Sequence, residues 1–325
     1  MSDMEIENLT PDELPQKPDI KETLSALKDD DSTTALYGLS NLISEEVKQI
    51  LGVWSELPST QRRKLLRDMV SASETDVTLS FEEVAKLNLT DPDADVRSAA
   101  IEVLWENESV EHLRQLNTIA KNDTALQVRI AAMSAIGKFI LLGEYGEIPE
   151  EEIASVQETL IDIWNDERLP VELRRRALEA ISNGSHEMVP NAIREAYKSD
   201  DTLMTISALF AMGASYDNQW EELVIKELDN DDAEIQYEAA KAAGALSITE
   251  AIPKLAELTT SGDREILEVV ISSLGEIGGN ESLRFLNILA EQAEEQEDED
   301  LTEAIDEAIS IASAMGSEIF LDDID

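Results

Sequence analysis

A set of apolar and small residues recurs along this chain about every 31 residues, and that recurrence limits the fold more than any other feature. Take Val96 in DADVRSAAIEVLW as the reference position. Its equivalents are Val128 (LQVRIAAMSAIG), Leu173 (VELRRRALEAIS), Met204 (TLMTISALFAMG), Ile235 (AEIQYEAAKAAG) and Ile266 (REILEVVISSLG). The successive spacings are 32, 45, 31, 31 and 31 residues, so one unit carries an insertion of about 14 residues. Four residues after each reference stand Ala100, Ala132, Ala177, Ala208, Ala239 and Val270, and eight after stand Leu104, Ile136, Ile181, Met212, Ala243 and Leu274. Offsets of 0, 4 and 8 share one face of an α-helix. Small residues at the middle offset let neighbouring helices approach closely.

The flanks of each segment carry helix punctuation. Asp93, Asp201, Asp232 and Asp263 stand three residues before the reference, where a carboxylate caps a helix N-terminus and suits its dipole. Nine residues after it stand Trp105, Gly137, Ser182, Gly213, Gly244 and Gly275. Glycine there is expected to end the helix, because it adopts a left-handed conformation at low cost. A second amphipathic stripe follows each first one: Leu113, Leu116 and Ile119; Ile252, Leu255 and Leu258; Leu283, Leu286 and Leu289. Each unit therefore reads as helix–turn–helix. No single unit buries both apolar faces, so the units must stack. The fold class expected is all-α: a right-handed α–α superhelix, a solenoid with helical caps.

These residues, DPDADVRSAAIEVL and DREILEVVISSLGEIGGNESLRFLNIL among them, resemble the HEAT repeats, specifically the short HEAT-like repeat named after the phycobiliprotein (bilin) lyases. The resemblance covers roughly residues 58–316 and implies a HEAT/armadillo-like solenoid; its columns specify packing, not a task. The family pattern places Arg just after the reference position. Arg97, Arg129 and Arg174 match, and Thr205, Gln236 and Leu267 depart. These arginines are expected to pair with neighbouring Asp residues along the stack.

The domain organisation follows. Residues 1–33 form an acidic, mostly disordered N-terminal segment with a short helix around Ile20–Lys28; 34–90 form a helical cap and a degenerate first repeat, with a helix restart near Ser44. Residues 91–290 carry the repeats, with a loop insertion near 141–152, and 291–325 form an acidic segment, a capping helix and a tail.

Charge and composition exclude several tasks. Lys plus Arg number 25 against 71 Asp plus Glu, a formal net charge of −46. Such a chain repels nucleic-acid backbones and anionic membrane surfaces, so neither is an expected partner. With no Cys there is no disulfide scaffold and no thiol nucleophile. The start, MSDMEIENLT, has no basic or apolar leader pattern, and no apolar run approaches the ~20 residues of a membrane span, so the expected compartment is the cytoplasm.

No motif names a catalyst. His112 and His186 are the two histidines. His186-Glu187 invites comparison with deoxyhypusine hydroxylase, an iron enzyme of HEAT-like repeats, but that pair occurs once and the other units lack it. Asp91, Asp93, Asp95 and Glu102 echo a calcium loop, yet its sixth position is Val96 where a sharp turn needs Gly. There is no phosphate loop and no G-x-S-x-G elbow. The basic clusters Gln61–Lys64 and Arg174–Arg176 are flanked by acids and offset local charge. The expected protein is a non-enzyme with no cofactor and no metal: a scaffold or adaptor for a protein partner, a basic one. The alternatives are a bilin-lyase-like or metal-dependent hydroxylase-like enzyme or subunit, or an acidic DNA mimic or chaperone of basic proteins. Candidate contacts are Glu144, Tyr145 and Glu147 in the insertion, Glu297, Asp298, Glu299 and Asp300 in the acidic run, and Phe320 in the tail.

The excess negative charge sets one prediction. Salt shortens the Debye length from ~10 Å at 0.1 M to ~3 Å at 1 M and relieves self-repulsion. The melting temperature is expected to rise between those salts by thermal circular dichroism; an unchanged value counters the idea.

Overall fold

The computed structural model describes residues 17–29 and 31–318, with side chains as far as Ala314. Among these residues every regular element is helical. The α-helices form eight successive pairs, flanked by one helix at each end, which makes the chain an all-α helical-repeat solenoid. It falls into two compact units, Met1–Ala135 and Ile136–Asp325.

In the first unit, α1 (Ile20–Asp29), α2 (Ser32–Leu39), α3 (Ser44–Glu56), α4 (Ser59–Thr75), α5 (Glu82–Asn88), α6 (Ala94–Val103) and α7 (Val110–Asn122) follow one another. α1 packs on α2 and α3, and α6 packs on α4 and α5. α1 buries Thr23, Ala26 and Leu27. The break between α2 and α3 has a local cause. Asn41 takes a positive φ of 49°, its amide donates to Thr78 O (2.9 Å), and Glu46 accepts from the backbone N–H of Ile43 (3.0 Å) to start α3. Buried Trp54 donates its indole N–H to Asn88 Oδ1 (2.8 Å), satisfying its one polar atom.

α8 (Leu126–Glu144) crosses the division of the chain. It is long and apolar enough to span a membrane, yet Val128, Ala132, Met133, Ile136, Phe139 and Ile140 are buried inside the protein. The second unit continues with α9 (Glu150–Asn165), α10 (Val171–Ile181), α11 (Val189–Tyr197), α12 (Thr202–Ala214), α13 (Glu221–Glu227), α14 (Ala233–Ala245), α15 (Ile252–Leu258), α16 (Arg264–Ile277), α17 (Gly279–Glu295) and α18 (Glu299–Glu318). The first helices of the pairs make one continuous row, α10–α12–α14–α16, and α18 extends that row beside α16. The insertion is mostly helix: Leu141 and Leu142 continue α8, Pro149 precedes an acidic first turn of α9, and only residues 145–149 form the loop.

The repeat columns are the core. Ala100, Ala132, Ala177, Ala208, Ala239 and Val270 are all 0% exposed, and the residues at offsets 0 and 8 are buried too. The aspartate caps form as expected: Asp93, Asp232 and Asp263 each accept from two backbone N–H groups of the following turn, and Asp201 accepts from Leu203 N.

Two expectations are corrected. The glycines at offset 9 do not end helices; Gly137, Gly213, Gly244 and Gly275 lie within them. They are there because the next helix passes at contact. A Cβ on Gly213 would sit 3.0 Å from Ala242 Cα, one on Gly244 2.9 Å from Ser273 Cα, and one on Gly275 3.1 Å from Ala308 Cα. The left-handed residue that closes these helices comes at offset 12 instead: Tyr216 (φ 49°), Ser247 (φ 52°) and Gly278 (φ 68°). The arginine column also departs in part. Arg97 pairs with Asp123 in a two-pronged bond (2.8 and 2.7 Å), as expected. Arg129 and Arg174 donate instead to Ala120 O (2.7 Å) and Trp164 O (2.9 Å). These carbonyls lie in the last turns of α7 and α9, which lack partners within their own helices. Gln236 does the same for Leu228 O (3.3 Å).

The glycine contacts generate a paired prediction. Gly244→Ala is expected to destabilise by about 1–3 kcal/mol through overpacking against backbone. Gly52→Ala, in α3 with nothing near its would-be Cβ, should stabilise by about 0.5–1 kcal/mol. Urea denaturation of both variants checks the contrast; a neutral Gly244→Ala would contradict the packing account.

Candidate interaction surface

Offsets 0, 4 and 8 face the core, and offsets 2, 3, 6 and 10 of the same helices lie toward the other side, where Arg175, Glu179, Ser207 and Val269 are themselves buried. In α10 these are Arg175, Arg176, Glu179 and Asn183; in α12, Ile206, Ser207, Phe210 and Ala214. In α14 they are Tyr237, Glu238, Lys241 and Ala245, and in α16 Glu268, Val269, Ser272 and Glu276. Because the helices lie side by side, all of these positions except Arg175, Arg176, Glu179 and Ser207 line a shallow trough within the second unit.

The trough has three adjoining depressions. One is lined by Phe210, Gly213, Tyr216, Glu238, Lys241 and Ala242 among others, the second by Ile206, Glu234, Tyr237, Glu238, Asp263 and Glu265. The third, between α14 and α16, is lined by Tyr237, Lys241, Glu265, Glu268, Ser272 and Glu276. Small residues at offset 9 and beyond make the floor low. Tyr216 is 68% exposed and Tyr237 36%, so aromatic surface stands in water along the trough.

At the α10 end the charges neutralise one another. Arg175 donates to Ser207 Oγ (2.8 Å) and Glu172 (2.8 Å), Arg176 donates to Glu179 (2.7 Å), and Ser207 donates to Glu179 Oε1 (2.5 Å). Toward α14 and α16 the balance changes. Among the described residues Glu234, Glu238, Glu265 and Glu276 join no salt bridge. Burial pushes the Glu238 carboxyl above the usual carboxylate range, and the nearby Lys241 opposes the shift without cancelling it. Burial does the same to Glu276, again against Lys241. The Lys241 ammonium lies over the Phe210 ring, 5.5 Å from its centroid.

The sequence-predicted contacts lie elsewhere. Glu144 closes α8 and is exposed; its carboxylate accepts from Ser185 N (3.0 Å) and Ser185 Oγ (2.9 Å). Tyr145 is 71% exposed, Glu147 is exposed in the short loop, and Ile148 between that loop and α9 is buried. Glu297, Glu299 and Asp300 are exposed where α17 hands over to α18. Asp298 is engaged by the fold: it accepts from Arg264 (2.5 Å) and from Leu301 N (3.1 Å) as the cap of α18. Phe320 lies outside the described residues. The structure thus places the insertion contacts together and the acidic run together, as separate features.

Other motifs resolve into structure. Asp91 pairs with Arg62 (2.9 Å), Asp95 pairs with Arg63 (2.5 Å) and Asp93 caps α6, so the calcium-like loop spends its carboxylates on the fold. His186 accepts from Met188 N (3.2 Å) in the turn before α11, and burial lowers the pKa of His112. Among the described residues no group of three or more His, Asp or Glu side chains is placed to hold a metal ion.

The trough residues escaped the sequence reading because each row differs in residue type. The available signal was positional: aromatics, one lysine and several glutamates at offsets 2, 3, 6 and 10 of consecutive units.

A row of helical pairs bearing an open trough defines a helical-repeat solenoid. Residues 221–310 match the family model described as HEAT repeats. HEAT repeats thus account for residues 221–310 of this all-α helical-repeat solenoid. No curated protein matches its sequence. Among solved structures it is similar to the CpcE–CpcF complex of phycocyanin lyase from Nostoc sp., at 16% identity and a TM-score of 0.47, covering 71% of this chain and 94% of that one. It is also similar to YibA of Escherichia coli, at 17% identity and a TM-score of 0.44, covering 87% and 96%. An engineered protein shares 19% identity at a TM-score of 0.38, covering 91% and 89%. None of these likenesses bears on what this chain binds.

The raised carboxyls set a pH prediction. A folded-state pKa above the unfolded one means that the folded chain binds more protons, so these groups cost stability at neutral pH and the cost fades as pH drops through the raised value. Glu238→Gln should therefore raise the melting temperature at pH 7, and the difference from wild type should shrink toward pH 4. Melting curves across that range check it; a gain that is constant with pH would contradict the assignment.

Proposed function

We propose that this helical-repeat solenoid is a non-catalytic scaffold that receives a positively charged segment of a protein partner along the α12–α16 trough. One observation carries the reading: exposed aromatic surface at Tyr237 and Tyr216 lies beside the unbridged carboxylates Glu234, Glu238, Glu265 and Glu276. Solvent-facing glutamates on a helical surface are ordinary by themselves. Glu238 and Glu276, partly stripped of water close to aromatic surface, are different, because an arriving guanidinium or ammonium recovers both electrostatic and cation–π energy there. The trough is also largely preformed, since its floor is made of packed helices, and this lowers the ordering cost of binding. The net charge of −46 adds long-range attraction for a basic partner.

A fluorescein-labelled octa-arginine peptide serves as the probe, read by fluorescence anisotropy. The double variant Glu265→Lys, Glu276→Lys is expected to weaken binding by roughly tenfold, as removal of two attractive charges and addition of two repulsive ones implies. Glu250→Lys with Glu257→Lys, in the single 3-10 turn Thr249–Ala251 and in α15 that follows it, makes the same charge change away from the trough and should weaken it by much less. Equal losses in the two variants would mean general charge attraction and would remove the trough from the proposal.

A further inference from the structure

Lys241 stands out within the trough. Acidic side chains line the two depressions that flank it, and it is the one basic side chain lining any of the three. Its ammonium is not free in the solvent but held over the face of Phe210, 5.5 Å from the centroid. Glu238, one turn earlier on α14, and Glu276, at the end of α16, both feel its positive charge. Phe210 and Glu238 line one depression with Lys241, and Glu276 lines the adjoining one with Lys241; an aromatic face with carboxylates at hand on both sides is the environment that a partner's lysine or arginine side chain would seek. Here the chain's own lysine already stands in that environment.

We infer that Phe210, Glu238 and Glu276 form a subsite for a basic side chain of the protein partner, and that Lys241 is its intramolecular occupant, which an incoming lysine or arginine must displace. The inference rests on the binding role proposed for the trough and adds to it a residue that sets affinity. Lys241 has a flexible four-carbon stem and is exposed, so it can swing away without disturbing α14, whose packing depends on Ile235, Ala239 and Ala243. Its presence has two effects. It supplies compensating positive charge to two partly desolvated carboxylates, alone for Glu276 and together with Arg175 and Arg176 for Glu238. It also makes entry competitive, so that a single basic residue gains little from the subsite, whereas a segment with several basic residues gains enough elsewhere in the trough to displace it.

The test uses the full chain and the same labelled octa-arginine peptide at low salt. Lys241→Met removes the competitor and keeps the apolar stem; it should tighten binding by about threefold, the size expected of one exposed cation–π contact together with the charge relief. Lys198→Met makes the same change of net charge outside the trough and should leave binding within about 1.5-fold, in keeping with a screened distant charge. Phe210→Leu keeps apolar volume but removes the ring face; combined with Lys241→Met it should cancel most of the gain. Lys241→Gln serves as a second variant, and circular dichroism verifies that each remains folded. If Lys241→Met and Lys241→Gln leave affinity unchanged or weaken it while the Glu265→Lys, Glu276→Lys pair still weakens binding roughly tenfold, Lys241 is not a competitor although the trough is the binding site. If neither the wild type nor Lys241→Met binds the peptide, the subsite and the trough reading fall together.

Discussion

Close approach between consecutive first helices is the constraint on which everything else rests. α12, α14, α16 and α18 touch along a line of glycine and alanine, with backbone against backbone at Gly213–Ala242, Gly244–Ser273 and Gly275–Ala308. Such contacts gain dispersion energy over many atoms and tolerate almost no added volume. They also fix the register of each helix against the next. Residues at equal offsets in successive units therefore become neighbours although they stand about 31 positions apart in the chain. The core columns and the trough are two faces of that single register.

The capping chemistry serves the same end. Asp93, Asp201, Asp232 and Asp263 start the first helices, while Arg129, Arg174 and Gln236 hold carbonyls left over at the ends of the preceding second helices. One side chain per unit thus ties the exit of one pair to the entrance of the next. Asp298 does comparable work at the C-terminal end, where it joins Arg264 of α16 to the first turn of α18.

Much of this was legible in the sequence. The columns Val96–Ala100–Leu104 and their counterparts gave the helical face, because burial on a helix leaves a periodic trace whatever its partner is. The meaning of Gly213, Gly244 and Gly275 was not legible, because glycine suits both a left-handed cap and a tight crossing, and only the neighbouring helix decides between them. The real left-handed positions, Tyr216 and Ser247, are side chains that rarely adopt that conformation, so composition pointed away from them. Charge and loop character mark the insertion and the acidic run as contacts in the sequence. Arg264 bonds to Asp298 from 34 residues away, and no local pattern shows such a partner. The trough was missed for a related reason: Phe210 and Lys241 belong to different helices, and their stacking exists only once the helices are side by side.

The lengthened pair α8–α9 illustrates what this construction permits. Its additional residues prolong two helices and leave a five-residue connection, while Ile136 and Ile181 keep their places in the same buried column on either side. Growth at the hairpin tip is thereby uncoupled from the spine. A lineage could lengthen, shorten or redecorate such tips repeatedly without re-solving the packing problem, and could diversify its periphery while inheriting an unaltered interior.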